Sequence, residues 1–393
     1  MHIAQRALDA EPFHALAIGE RAAALEAAGH HVVKLSIGEP DFGAPPAVRA
    51  AMREAMDGRP LPYTAALGLP ALRSALARFY RERHHVEVDP ARIAITAGAS
   101  AALLLVTAAT TDPGDEVLLA DPSYPCNREL VRSFGGSPVL VPTTPASRYQ
   151  LSAGAVADAW TDRTTAVMIA SPSNPTGTSI PASELAAICD LARARGGWRI
   201  VDEIYLDLAD PDASGASART VLAHDPDAIV IGSFSKFFGM TGWRLGWTVL
   251  PEPLVPVVER LAMNYFLSAS APAQLAALAA FSPESLAICE ERRRELAVRR
   301  ALVLDGLAAI GLTVPVEPDG AFYVYIDVSS TGMDAWTFCE EVLQHANVSL
   351  TPGRDFAVAT ADTHVRLSYA ASRADLSEGI SRLGAFLAGR RGG

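Results

Sequence analysis

Of the thirty-three basic side chains in this sequence only two, Lys34 and Lys236, are lysines. Lys236 lies in Gly232-Ser233-Phe234-Ser235-Lys236-Phe237-Phe238-Gly239, just after the apolar run Ala228 to Ile231, and Arg244 follows eight positions later. Small and aromatic residues flank it, not the charges of a solvated surface. Amine chemistry is what a guanidinium cannot perform: a desolvated ε-amine can lose its proton and condense with an aldehyde to an imine. The hydroxyls of Ser233 and Ser235, together with Arg244, suit a phosphate close to that amine. A phosphorylated aldehyde held as an imine is pyridoxal 5'-phosphate (PLP). The competing reading is a chance surface lysine in a loop.

Such a ring needs a carboxylate against its nitrogen, so that it stays protonated and accepts a carbanion's electrons. Val201-Asp202-Glu203-Ile204-Tyr205 ends an apolar run with an acid, 34 residues before Lys236. Tyr205 is placed to donate to the ring's phenolic oxygen, although an isolated Asp-Glu pair at a strand end also reads as a helix cap. In Ser171-Pro172-Ser173-Asn174-Pro175-Thr176-Gly177 the Asn174 amide can contact the same oxygen, and its bond to Pro175 is a candidate cis peptide. A plain proline-rich turn is the alternative. Gly98-Ala99-Ser100 enters a helix whose free N–H groups can hold phosphate. Tyr124, in Asp121-Pro122-Ser123-Tyr124-Pro125, is either an aromatic that stacks on the ring or an ordinary turn residue. Arg366 is a lone charge in Val365-Arg366-Leu367-Ser368-Tyr369. A buried arginine needs an anion, which can be a substrate carboxylate or a structural ion-pair partner.

These residues need a scaffold that brings distant segments together. Helical spacing runs to about Gly29, and Val32 to Ile37 reads as a strand. Helices are expected from Pro45-Pro46 to Gly58 and from Pro70 to Glu82. Seven short apolar strands follow, at Ile93 to Thr96, Glu116 to Ala120, Val139 to Val141, Ala166 to Ala170, Trp198 to Val201, Ala228 to Ile231 and Gly246 to Leu250. Between them lie helices such as Ala101 to Thr110 and Glu184 to Arg195, the latter capped by Ser183. That alternation predicts an α/β fold: a mostly parallel seven-stranded sheet in three layers, with ligands at the carboxyl ends of its strands. A long helix, Pro283 to Ile310, leads to a smaller α+β unit. Its elements are strands Ala321 to Asp327, Val348 to Thr351 and His364 to Ser368, and helices Asp334 to His345 and Arg373 to Leu387. The expected division is a large domain over 46–290 and a small domain built from 1–45 and 291–393.

Composition narrows the function classes. The net charge is -11, which argues against nucleic acid as the main partner. The basic run Arg292-Arg293-Arg294 between glutamates reads as a solvated helix face, and His30-His31 and His84-His85 as surface or turn histidines rather than metal ligands. No apolar run reaches the length of a membrane span, and the N-terminus lacks a signal segment. The four cysteines form no CxxC pair, and reduced thiols in a cytoplasmic protein are expected.

Taken together, these motifs strongly resemble the class I/II aminotransferases of fold type I, near the aspartate, aromatic and alanine branches. The resemblance runs from Leu35-Ser36-Ile37-Gly38-Glu39-Pro40-Asp41-Phe42 to Val365-Arg366-Leu367-Ser368. It implies that Lys236 carries the cofactor and moves the proton. Asp202 partners the ring nitrogen, Tyr205 and Asn174 contact the phenolic oxygen, and Tyr124 stacks on the ring. Phosphate falls to Ala99, Ser100, Ser233 and Arg244, with Tyr63 reaching in from a second subunit of a homodimer. Arg366 anchors the α-carboxylate beside Asn174 and the Gly38 backbone.

Two departures bear on substrate. Ser100 stands where some acidic-substrate relatives have lysine, and Asn264 to Ser270 contains no second arginine. An L-amino acid with a neutral or aromatic side chain is therefore expected, passing its amino group to a 2-oxo acid by a ping-pong mechanism. Ile18, Tyr265 and Phe266 are the candidate walls, and Arg21 and Arg260 the nearest other cations. A C–S β-lyase or an oxidase-like enzyme on the same fold would keep the same motifs. A PLP-sensing regulator is a further alternative, disfavoured because only a short helix and loop precede Leu35.

Overall fold

The structure is a computed structural model that describes residues 2–11, 13–211 and 218–391. Its strands in chain order are β1 (Val33–Lys34), β2 (Ile93–Thr96), β3 (Glu116–Asp121), β4 (Ser137–Pro142), β5 (Thr164–Ala170), β6 (Trp198–Asp202), β7 (Ile229–Ser233) and β8 (Gly246–Val249). There follow β9 (Tyr323–Asp327), β10 (Val348–Ser349), β11 (Thr351–Pro352) and β12 (His364–Ser368). Strands β2 to β8 form one seven-stranded sheet in the order β2-β8-β7-β6-β5-β3-β4, in which β8 alone runs against its neighbours. Nearly every residue of β2, β3, β5, β6, β7 and β8 is buried. A sheet covered by helices on both faces requires this, and it is why these strands read as continuous apolar runs.

The register sets the site. Ala170 of β5 pairs with Asp202 of β6, and Asp202 with Ile231 of β7. Ser233 of β7 pairs with Gly246 of β8, which in turn pairs with Thr96 of β2. The carboxyl ends of β2, β5, β6 and β7 therefore meet at one edge of the sheet. A second, antiparallel sheet, β11-β12-β9, faces that edge. The N-terminal segment joins the C-terminal part through β1, which pairs with β10, and through Ser368 N donating to the Leu35 carbonyl at 2.7 Å.

Several expectations need correction. The strand expected over Val32 to Ile37 narrows to β1, and the one over Val348 to Thr351 splits into β10 and β11. The helix Ala182–Ala194 starts before Ser183, and Pro181, not Ser183, stands at its cap. The helix Pro125–Ser133 escaped notice because its buried face includes Asn127 and Arg128, which break the apolar spacing. The helix Ala271–Ala277 likewise hides a buried Gln274 in an alanine-rich run. His84 is not a surface residue. It is buried 3.4 Å from Asp207, a partner too distant in sequence for spacing to reveal. Arg292 is not simply solvated: its guanidinium lies 4.6 Å from the Phe42 ring and donates to the Gly43 carbonyl at 2.8 Å.

One helix needs support from far away. His14–Ala27 has Phe13 at its N-cap with no side-chain cap of its own. The buried Asp355 carboxylate supplies the cap, accepting the His14 and Ala15 N–H groups at 2.7 Å each. This pins the N-terminal helix to the turn that follows β11. Asp355→Ala should cost about 1–2 kcal/mol, the usual worth of an N-cap, and speed hydrogen exchange at His14 and Ala15. Unchanged exchange at those two amides would contradict this account of the helix.

Candidate active site

Facing ends of the two sheets enclose a cavity of about 720 Å³. Gly38, Ala99, Ser100, Tyr124 and Asn174 line it, as do Asp202, Tyr205, Ser233, Lys236, Arg244 and Arg366. Of the residues singled out in the sequence as cofactor or substrate contacts, only Tyr63 lies elsewhere. It is 80% exposed and outside the cavity lining.

Lys236 sits in the turn after β7. Its Nζ donates to the Gly38 carbonyl at 2.7 Å and lies 5.6 Å from the centres of both the Tyr205 and Phe322 rings. Burial pushes its amine down to about 8, with Arg366 and Arg244 adding repulsion and Glu39 opposing. Lys34, by contrast, pairs with Glu26 at 2.7 Å on the surface. Asp202 ends β6, fully enclosed, and burial lifts its carboxyl to about 6 although its Oδ1 accepts the Ile204 N–H at 3.1 Å. A cationic ring nitrogen beside such a carboxyl would hold it in its ionised form.

An anion-binding corner forms where β2 gives way to the helix Ala99–Thr110. Gly98 precedes it with φ of +81°, and a Cβ there would lie 2.5 Å from Arg244 Nη2. Glycine thus lets the Arg244 guanidinium approach the helix N-terminus, whose free N–H groups and dipole favour an anion. Ser233 lies alongside, its Oγ accepting the Ser235 N–H at 3.0 Å.

Arg366 projects from β12 and is 3% exposed. It donates to Asn174 Oδ1 and to the Ser36 carbonyl at 2.8 Å each, and to Thr351 Oγ1 at 3.3 Å. Its guanidinium stacks between Tyr323 at 4.5 Å and Phe356 at 4.7 Å. Among the described residues no carboxylate pairs with it, and its buried Nε has no partner. Neutral acceptors offset only part of the several kcal/mol that desolvating a charge costs. A structural ion pair is thus not what Arg366 is held for, and the cavity retains a cation suited to an incoming carboxylate. With its Oδ1 occupied, Asn174 keeps its amide N–H groups as donors.

One wall differs from expectation: Ile18 is wholly buried in the core. Tyr265 and Phe266 are exposed and do not line the cavity of their own chain. The helix His14–Ala27 instead presents Leu16, Gly19, Glu20 and Ala23. Arg21 is turned away to pair with Glu340. Sequence reasoning also missed Tyr323, whose hydroxyl lies 2.8 Å from that of Tyr205. The run Gly320-Ala321-Phe322-Tyr323 at the head of β9 was its only signal: two aromatics follow small residues in a strand that must end near the cavity.

A family model for aminotransferases of class I and II matches residues 30–383. The chain is 39% identical to the valine–pyruvate aminotransferase of Mycobacterium tuberculosis, over 96% of each sequence. It also superimposes on a crystal structure of an aminotransferase from Mycobacterium tuberculosis with TM-score 0.94 and 38% identity, covering 99% of this chain and all of that one. The aspartate aminotransferase of Thermus thermophilus with maleate gives TM-score 0.92 at 34% identity, covering 98% of this chain and all of that one.

Proposed function

The chain belongs to the class I and II aminotransferase family and is a transaminase; from that premise we propose that it is PLP-dependent and takes a neutral, apolar or aromatic L-amino acid as donor. The names of its relatives favour amino-group transfer over the lyase and oxidase-like alternatives. The observation that carries the cofactor assignment is the Lys236 amine in the cavity wall with Asp202, Tyr205, Ser233 and Arg244, its desolvation favouring the free amine.

The residues fit that cofactor. The glycine-permitted approach of Arg244 to the helix at Ala99 makes a cradle for phosphate, with Ser100 and Ser233 beside it. Lys236 supplies the amine that binds the aldehyde, Asp202 the partner of the ring nitrogen, and Tyr205 and Asn174 the donors to the phenolic oxygen. Tyr124, in the cavity wall, would cover one face of the ring. When bound, the cofactor supplies an electron sink that stabilises a carbanion at the substrate's α-carbon. Arg366, backed by Asn174 and the Gly38 backbone, orients the substrate by its α-carboxylate. Once released, Lys236 can take the α-proton, because desolvation leaves a far larger free-base fraction of its amine near neutral pH than a surface lysine has.

Charge on the walls supports a neutral donor. Lys236, Arg244 and Arg366 are the cations lining the cavity, and each already has a role. Glu20 and Glu39 line it too, so a second substrate carboxylate would meet repulsion and no dedicated cation. Leu16, Ile37 and Leu103 offer apolar surface instead. Valine named in one relative fits this wall better than the maleate named with another.

A homodimer with shared sites is part of the reading. Gln274 Nε2 donates to Thr64 Oγ1 at 3.0 Å and to the Ala269 carbonyl at 2.9 Å. This draws together two segments that expose Leu61, Tyr63, Tyr265, Phe266 and Leu267. Such an apolar surface suits a partner that would receive Tyr63 at its own phosphate corner. The division into 46–290 and 1–45 with 291–393 is likewise proposed, supported by the pairing of β1 with β10. A cytoplasmic location is supported by four free cysteines; no described helix is long and apolar enough to cross a membrane.

Two measurements test the reading. The PLP form mixed with single amino acids should lose its cofactor absorbance at least about tenfold faster, in kcat/KM terms, with valine, leucine or phenylalanine than with aspartate or glutamate. Tenfold is about 1.4 kcal/mol, well within the cost of an unpaired carboxylate. Aspartate or glutamate reacting fastest would reject the substrate assignment. Sedimentation should give twice the chain mass, and a fully active monomer would reject the shared site.

A further inference from the structure

Tyr323 is 1% exposed, yet its hydroxyl reaches the cavity wall between three groups of the site. It lies 2.8 Å from the Tyr205 hydroxyl and 3.5 Å from the Gly38 carbonyl. Its ring supports the Arg366 guanidinium at 4.5 Å. The ring cannot swing away: Phe322 packs at 4.7 Å and Tyr205 at 5.7 Å between ring centres, and Tyr323 is paired with Ser368 of β12. Gly38 is required for the approach, since a Cβ there would sit 2.9 Å from the Tyr323 oxygen.

A phenol has one proton to donate. If Tyr205 gives its proton to Tyr323, it offers the cavity only an acceptor. If Tyr323 gives its proton to Tyr205, the Tyr205 proton is free to point into the cavity. The distances favour the second. The other acceptor open to Tyr323, the Gly38 carbonyl, is 3.5 Å away, at the outer limit of a hydrogen bond, against 2.8 Å to the Tyr205 oxygen. We propose that Tyr323 is a positioning residue: it donates to Tyr205 and so fixes the direction in which Tyr205 presents its proton to the cavity. The proposal rests on the reading of Tyr205 as a donor to the cofactor's phenolic oxygen. Burial keeps both phenols above their ordinary titration range, so the two protons stay in place.

The test uses the holoenzyme carrying Tyr323→Phe, Tyr205→Phe, or both. Phenylalanine at 323 keeps the ring under Arg366 and removes only the hydroxyl. A donor at a phenolic oxygen stabilises its deprotonated form, so weakening that donor raises the pH midpoint of the bound cofactor's absorbance change. Tyr323→Phe should raise the midpoint and slow the half-reaction about fivefold to tenfold, the worth of one neutral hydrogen bond. KM for the amino acid should stay within about twofold, because the Arg366 support remains. Tyr205→Phe should shift the midpoint further, and adding Tyr323→Phe to it should change nothing more. A shifted midpoint in Tyr205→Phe with none in Tyr323→Phe, or additive shifts in the double variant, overturns the proposal alone. No shift in Tyr205→Phe overturns the role of Tyr205 and this inference with it.

Discussion

Desolvation of one amine is the constraint on which the rest of the site depends. Lys236 has its ammonium form disfavoured by burial and by Arg366 and Arg244, and its Nζ is held by the Gly38 carbonyl. A fall from 10.5 to about 8 corresponds to on the order of 3 kcal/mol against the charged form. That is comparable to one or two charge-assisted hydrogen bonds, so small changes in the enclosure would return the amine to an ordinary surface lysine. The enclosure is supplied from outside the large sheet. Gly38 follows Ser36, whose carbonyl receives Arg366, and Leu35, whose carbonyl receives Ser368 N. The anchor proposed for substrate and the segment that covers the amine are thus one connected structure.

The same economy appears in the sheet. Three parallel strands end in chemistry: β5 leads to Asn174, β6 ends at Asp202 and β7 leads to Lys236. The antiparallel β8 returns Arg244 to the helix N-terminus at Ala99 by starting where β7 and β2 finish. Asp202, Ser233 and Arg366 are carried on strand backbone whose hydrogen bonds are made in a sheet, while Asn174, Lys236 and Arg244 stand in turns next to a strand end. Asn174 bridges the two halves, accepting from Arg366 across 192 positions of sequence.

Much of this was legible because parallel strands buried on both faces stand out as short apolar runs, and the residues that end them are conspicuous. Lys236 was the easiest, one amine in a chain of arginines. Arg366 was visible as a charge inside an apolar strand, although only the structure removed an ion pair as its explanation. What stayed hidden depends on partners far apart in the chain. The expectation puts Ile18 on the cavity face of the N-terminal helix where the structure has Leu16, since the Asp355 cap that orients that helix lies 341 and 340 positions from His14 and Ala15. His84 looked like a turn residue until Asp207 was placed beside it. Tyr323 was passed over because its meaning lies in one hydroxyl contact with Tyr205, and contact distances are invisible in composition or periodicity.

The central claim is that the Lys236 amine is reactive because it is buried. The direct measurement is cofactor attachment: apo-enzyme mixed with PLP at fixed pH values from about 6 to 11, trapped at early times with borohydride, digested and mapped. The account predicts label on Lys236, with the initial attachment rate rising as pH passes through about 8, because the free amine is the attacking form. Label on Lys34, or attachment to Lys236 that rises only near the ordinary lysine range around 10.4, would contradict it.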